Sequence, residues 1–155
     1  ALQLNSLLKA LEHEARAQLP AAQWLPRRAQ LDSLLDVADL PAAWRAISQL
    51  QNDQDPLLAR AGRTLSEGCP LTAHLVWEQI RRAKQLSLAE VLRMEYAMSL
   101  NCCRHPEFAE GVRARLIDKD NQPHWHWPEV SAISAAEIAA HFQPAWDGEH
   151  PLADL

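Results

Sequence analysis

Apolar residues recur along this chain at three- and four-residue steps, with proline punctuating the runs. Leu4, Leu7, Leu8 and Leu11 share one face of a helix expected over residues 2–18, which Pro20 ends. Leu31, Leu34, Leu35 and Ala38 repeat the spacing over 27–39. Pro41 suits the first turn of a short helix carrying Trp44, Ile47 and Leu50. In "DPLLARAGRTLSEG", Asp55 reads as an N-cap, Pro56 as the first helical residue and Gly68 as the C-cap. Pro70 opens a helix to about Gln85, with Leu71, Leu75, Val76 and Ile80 expected inward.

Two capping boxes follow. "SLAE" at 87–90 lets the Ser87 hydroxyl serve the Glu90 amide while Glu90 reaches back, and the helix behind it runs to about Arg104. A shorter helix, "EFAEGVRARLI", comes after Pro106. "SAAE" at 134–137 opens a last helix through Phe142, and "QPAWDGEHPLADL" is expected to be extended or partly loose. No alternating run of β-branched residues is bounded by turns, so the chain is expected to be all-α.

Composition narrows the function. The length of 155 residues suffices for one modest core, and nearly half of the residues are apolar. Net charge is −5, which argues against nucleic acid as a partner, since displacing its counterions needs a basic face. No run is long and apolar enough for a membrane span, and the amphipathic start lacks the apolar core of a signal peptide. Cys69, Cys102 and Cys103 are an odd set with two adjacent, which suits a reducing compartment: the cytoplasm, or the mitochondrial matrix in a eukaryote. The four glycines are scattered, so no phosphate loop, dinucleotide fingerprint or Gly-rich oxyanion turn can be built.

The densest chemistry lies in "EGVRARLIDKDNQPHWHWPEV", residues 110–130. His124 and His126 flank Trp125 and point the same way if the segment is extended, as two metal ligands do. No cysteine or carboxylate completes a ligand spacing, and Glu129 is the nearest acid. A clasp pinned by tryptophan is the favoured reading, and no metal is expected. Arg113, Arg115 and Lys119 read either as solvated partners of a helix end or, more sharply, as a phosphate grip. Glu95 interrupts the stripe of Val91, Met98 and Cys102, so it needs a partner if buried, for which a salt bridge to an arginine, or to part of a larger protein, is expected. No catalytic residue is assigned.

Residues 87–130 resemble the C-terminal region of 3-hydroxyisobutyryl-CoA hydrolases, within the enoyl-CoA hydratase/isomerase (crotonase) superfamily. The resemblance rests on Leu92, Glu95, Tyr96 and Ser99, then Phe108, Glu110, Gly111, Val112, Arg113 and Ala114. The "IDKD" string, Ile117 to Asp120, extends it, with Pro123, Trp125 and Pro128 beyond. "CPLTAHLV" from Cys69 is similar to the preceding helix start. The resemblance implies an all-α, C-terminal helical portion of a crotonase-fold protein that lacks the N-terminal ββα spiral core. On this basis residues 1–68 are a variable helical insert, 69–143 the C-terminal helices with an ordered extension, and 144–155 a tail.

The implied parent hydrolyses an acyl-CoA thioester of valine breakdown: amides hold the oxyanion and a carboxylate attacks or activates water. It uses no cofactor beyond its acyl-CoA substrate. Lys119 and Arg115 are implied contacts of CoA, while Glu95, Glu110, Gly111, Arg113, Asp118, Asp120 and Trp125 form the structural motif, Gly111 allowing close helix approach. Implied partners are the missing core, acyl-CoA and, as a further option, a second copy in a homo-oligomer. The competing readings are a non-enzymatic helical assembly module and a fragment of a hydratase or isomerase.

Overall fold

The computed structural model describes residues 2–155, Leu2 by its backbone alone. Every regular element among them is helical, and none is a strand. No described helix is long and apolar enough to cross a membrane. Two compact units divide the chain, residues 1–36 and 37–155.

The first unit holds α1 (Leu2–Ala15) and α2 (Arg28–Leu35), with short 3-10 turns between them. The leucine stripe of α1 is where the spacing puts it, yet Leu4, Leu7, Leu8 and Leu11 are each more than half exposed. A stripe at helical period says which residues share a face; it does not supply the surface that covers them.

The second unit carries α3 (Leu40–Gln49), α4 (Pro56–Ser66), α5 (Pro70–Ala83), α6 (Leu88–Arg104), α7 (Pro106–Val112) and α8 (Ala135–Ala140). Asp39 and Asp55 cap α3 and α4, each carboxylate accepting a backbone amide of the first turn, at 2.8 and 2.9 Å. The expected box at Ser87 forms with both arms and holds the Glu90 carboxyl below its ordinary range, chiefly through the Ser87 hydroxyl. At Ser134 one arm forms: the hydroxyl accepts from the Glu137 amide at 3.2 Å. The helix then ends at Ala140, two residues short of expectation. Asn101 reaches over from α6 and donates to the carbonyls of His141 and Gln143, satisfying acceptors that a longer helix would have used.

Packing centres on two places. Leu71, Leu75 and Ile133 form a buried cluster, against which Met98, Cys102, Trp127 and Phe142 pack. Leu40, Ala43, Leu58, Ala59 and Gly62 are buried on α3 and α4. Gly62 lets α4 touch the backbone at the end of α3: a Cβ there would stand 2.3 Å from the Gln51 nitrogen and 2.9 Å from the Ile47 carbonyl oxygen.

Several expectations need correction. Val76 and Ile80 lie outward, 46% and 58% exposed, because only the Leu71–Leu75 ridge of α5 meets the cluster. Gly68 is not the cap itself. Glu67 occupies the C-cap, and Gly68 follows with an ordinary backbone, its amide reaching the Leu65 carbonyl at 2.9 Å. The tail is docked rather than loose. Arg93 donates to the carbonyls of Leu152, Ala153 and Leu155, and Tyr96, Trp146 and His150 meet edge-to-face within 5.7 Å. Glu95 does find a partner, but an uncharged one: Gln79 Nε2 donates to Glu95 Oε1 at 2.6 Å.

Candidate functional site

The segment from α7 to Pro128 is organised around one guanidinium. After Val112 the helix widens into a π-turn over Arg113–Ile117, closed by the Asp118 amide donating to the Arg113 carbonyl at 2.8 Å. Arg113 then spends all five of its N–H donors. Nε and Nη2 grip Glu110 at 2.9 and 2.8 Å, Nη1 reaches Asp118 at 2.6 Å and Asp120 at 2.7 Å, and Nη2 also meets the Gln122 carbonyl at 3.0 Å. The charges respond accordingly. Glu110 falls to about 2, mainly through Arg113 and next through the His124 amide. Asp120 is also lowered, and Arg113 is pushed further up by its three carboxylates.

The same network fixes the backbone. Lys119 and Asn121 both take the left-handed conformation, at φ +56° and +55°. For residues with a Cβ that conformation is disfavoured, so surrounding bonds must hold it. Here Asp118 and Asp120 are both drawn to Arg113, and Arg115 Nη1 donates to Asn121 Oδ1 at 2.9 Å. Lys119 stands exposed between the two aspartates, with no ion pair among the described residues.

Beyond the turn, α7 stitches the extended chain down by its carboxylates. The His124 amide donates to Glu110 at 2.6 Å and the His126 amide to the buried Glu107 at 3.1 Å. Alternation does the rest: His124 and His126 project into solvent, while Trp125 and Trp127 are half-buried. Trp125 lies on Gly111, where an added Cβ would meet its ring at 3.4 Å, and its indole N–H points to the Glu67 carbonyl at 3.5 Å. Gly111 therefore makes room for a ring, not for a neighbouring helix. Trp127 stacks on His105, which also meets His141 at 5.1 Å; burial and then His141 push the His105 imidazole down.

Sequence reasoning passed over Glu107. The available signal was an acid one helical turn before Glu110, hence on the same face. No group of three or more metal-ligating side chains converges among the described residues. A cavity of about 370 Å³ does open beside the segment, bordered by Cys69, Cys102, Glu107, Phe108, Arg115 and Trp125. Burial raises the Cys102 thiol, with Cys103 and Cys69 adding smaller contributions, so it is a poor nucleophile there.

An acid titration checks the hub. Glu110 drops from the usual 4.5 to about 2 on folding, so its contribution is complete above pH 4.5 and disappears as pH falls towards 2. Glu110→Gln is expected to melt below the unaltered chain at pH 7, with the gap closing between pH 4.5 and 2. A gap that is constant with pH would exclude this account.

Fold and site together define an all-α helical module with an arginine-centred acidic turn and a tryptophan-anchored extension. The chain belongs to the enoyl-CoA hydratase/isomerase family, whose sequence profile matches residues 1–142. It is 33% identical over 106 residues to the mitochondrial 3-hydroxyisobutyryl-CoA hydrolase of Gallus gallus, covering 68% of this chain and 28% of that protein. The Xenopus tropicalis protein of the same name is 34% identical over 113 residues, 73% of this chain and 29% of that protein. A solved enoyl-CoA hydratase from Rhodobacter sphaeroides superposes with a TM-score of 0.70 at 26% identity, over 93% of this chain and 43% of that one. A carnitinyl-CoA dehydratase from Mycobacterium thermoresistibile gives 0.69 at 25% identity, over 82% and 36%. The chain thus spans under a third of the length of these two curated relatives. Its all-α architecture agrees with a helical C-terminal portion of the crotonase fold, and none of the spiral core lies among the described residues.

Proposed function

We propose that this chain is the C-terminal helical part of an acyl-CoA thioester hydrolase of the 3-hydroxyisobutyryl-CoA type, acting in valine breakdown and carrying no catalytic group itself. The observation that carries this reading is the identity to proteins of that name, 33% over 106 residues and 34% over 113. In this reading residues 1–68 are the variable insert, and residues 69–143 with the tail cover a core supplied by the rest of a longer protein. Lys119 and Arg115 are its CoA contacts. Both are exposed cations on one turn, and neither is paired with a carboxylate among the described residues, unlike Arg113. The outward leucines of α1 and the outward Val76 and Ile80 suit helices that lie against further protein, whether that core or a second copy. The compartment is a reducing one, and the matrix is favoured by the word "mitochondrial" in the relatives' names.

The test uses the full-length protein and the 155-residue chain side by side, with 3-hydroxyisobutyryl-CoA as substrate and free thiol as readout. Thiol release by the full-length protein alone is the expected result. Release by the isolated chain would overturn the assignment of chemistry to the missing core. Water addition to an enoyl-CoA without thiol release would transfer the protein to the hydratases, the second reading, which the two solved neighbours favour.

A further inference from the structure

We infer that Arg113 is a positioning residue for CoA binding: it holds Lys119 in its left-handed turn and offsets part of the charge of the two aspartates that flank it. This deepens the reading of Lys119 as a CoA contact and rests on it. Three observations converge. Lys119 occupies φ +56°, a conformation that favours glycine, so the fold keeps a long cation at a position that does not favour one. The residues on either side, Asp118 and Asp120, both give a carboxylate oxygen to Arg113 Nη1, at 2.6 and 2.7 Å. Arg113 has no donor left over, since its remaining N–H groups are taken by Glu110 and the Gln122 carbonyl.

The electrostatic consequence is specific. Without Arg113, a polyphosphate approaching Lys119 would meet two unneutralised carboxylates one residue away, and repulsion would offset the attraction. With Arg113, one positive charge is set against those carboxylates, which lessens the repulsion without cancelling it, and the fork also sets the chain direction at Lys119. Lysine at position 113 has one ammonium and cannot hold Glu110, Asp118 and Asp120 in that planar geometry.

The experiment measures the Kd of the full-length protein for free CoA by calorimetry at low and high salt. Lys119→Ala is expected to weaken CoA about fivefold at low salt and to flatten the salt dependence, as loss of one exposed charge contact should. Arg113→Met is expected to match it, Arg113→Lys to recover little, and the Arg113→Met/Lys119→Ala double variant to be no weaker than either alone. Adding Asp118→Asn and Asp120→Asn to Arg113→Met should restore part of the affinity by removing the repulsion. A far-ultraviolet spectrum and melting curve identify any variant that fails to fold, and Arg113→Lys then stands in for Arg113→Met. If Lys119→Ala leaves the Kd unchanged, the phosphate reading and this inference fall together. If Lys119→Ala weakens CoA but Arg113→Met does not, or the two losses add, the inference alone is overturned.

Discussion

Gly62→Ala is expected to lower stability by about 3 kcal/mol, the upper range for forcing atoms into a packed site. The new methyl carbon would lie 2.3 Å from the Gln51 nitrogen, 2.8 Å from the Leu50 carbonyl carbon and 2.9 Å from the Ile47 oxygen. All three are backbone atoms, so no rotamer change relieves the clash. α4 must move away from the end of α3, opening the buried contacts of Leu58 and Ala59. Equilibrium unfolding in urea checks this, with Gly68→Ala as the comparison. There the nearest contact would be 3.1 Å and the residue lies just past the helix end, so a smaller loss is expected. Equal midpoints for the two variants would mean that α3 and α4 have room to part.

Trp125→Ala is expected to cost about 2 kcal/mol, less than a fully buried indole because this ring is only half covered. The ring seats on Gly111, borders the cavity and anchors a stretch with no regular structure of its own. Lys119→Ala is expected to move stability by no more than about 0.5 kcal/mol, as for an exposed side chain without a buried partner. Melting curves recorded together decide between them. A larger drop for Lys119→Ala would reverse the roles of anchor and ligand contact. Increased proteolysis between Gln122 and Pro128 in Trp125→Ala would locate the loss in the extension.

The hub shows where sequence reasoning stops. Glu110, Arg113, Asp118 and Asp120 are visible as a charged string, and Glu110 and Arg113 stand one helical turn apart, so their pairing follows from helix geometry alone. That Asp118 and Asp120 turn back onto the same guanidinium does not follow. It depends on the π-turn after Val112, a change in winding that no residue in "RARLI" announces. The left-handed backbone at Lys119 is equally silent in the sequence, which offers a lysine where such a turn ordinarily carries glycine. The Gln79 partner of Glu95 lies sixteen residues away on another helix, and only packing of α5 on α6 selects it over an arginine.

By itself the sequence determined what local physics controls. The helical class followed from the three-and-four spacing and the scarcity of β-branched runs. Helix starts followed from Asp55, Ser87 and the prolines, because a cap needs only the residues of its own first turn. Tertiary structure decided whatever required two distant segments to meet. It turned Val76 and Ile80 outward while burying Leu71 and Leu75, since equivalent apolar spacing cannot say which ridge finds a neighbour. It docked the tail on Arg93 and Tyr96, and it laid Trp125 on Gly111. Helical periodicity is a property of one segment, whereas burial belongs to a pair of surfaces, and only the folded chain brings those surfaces together.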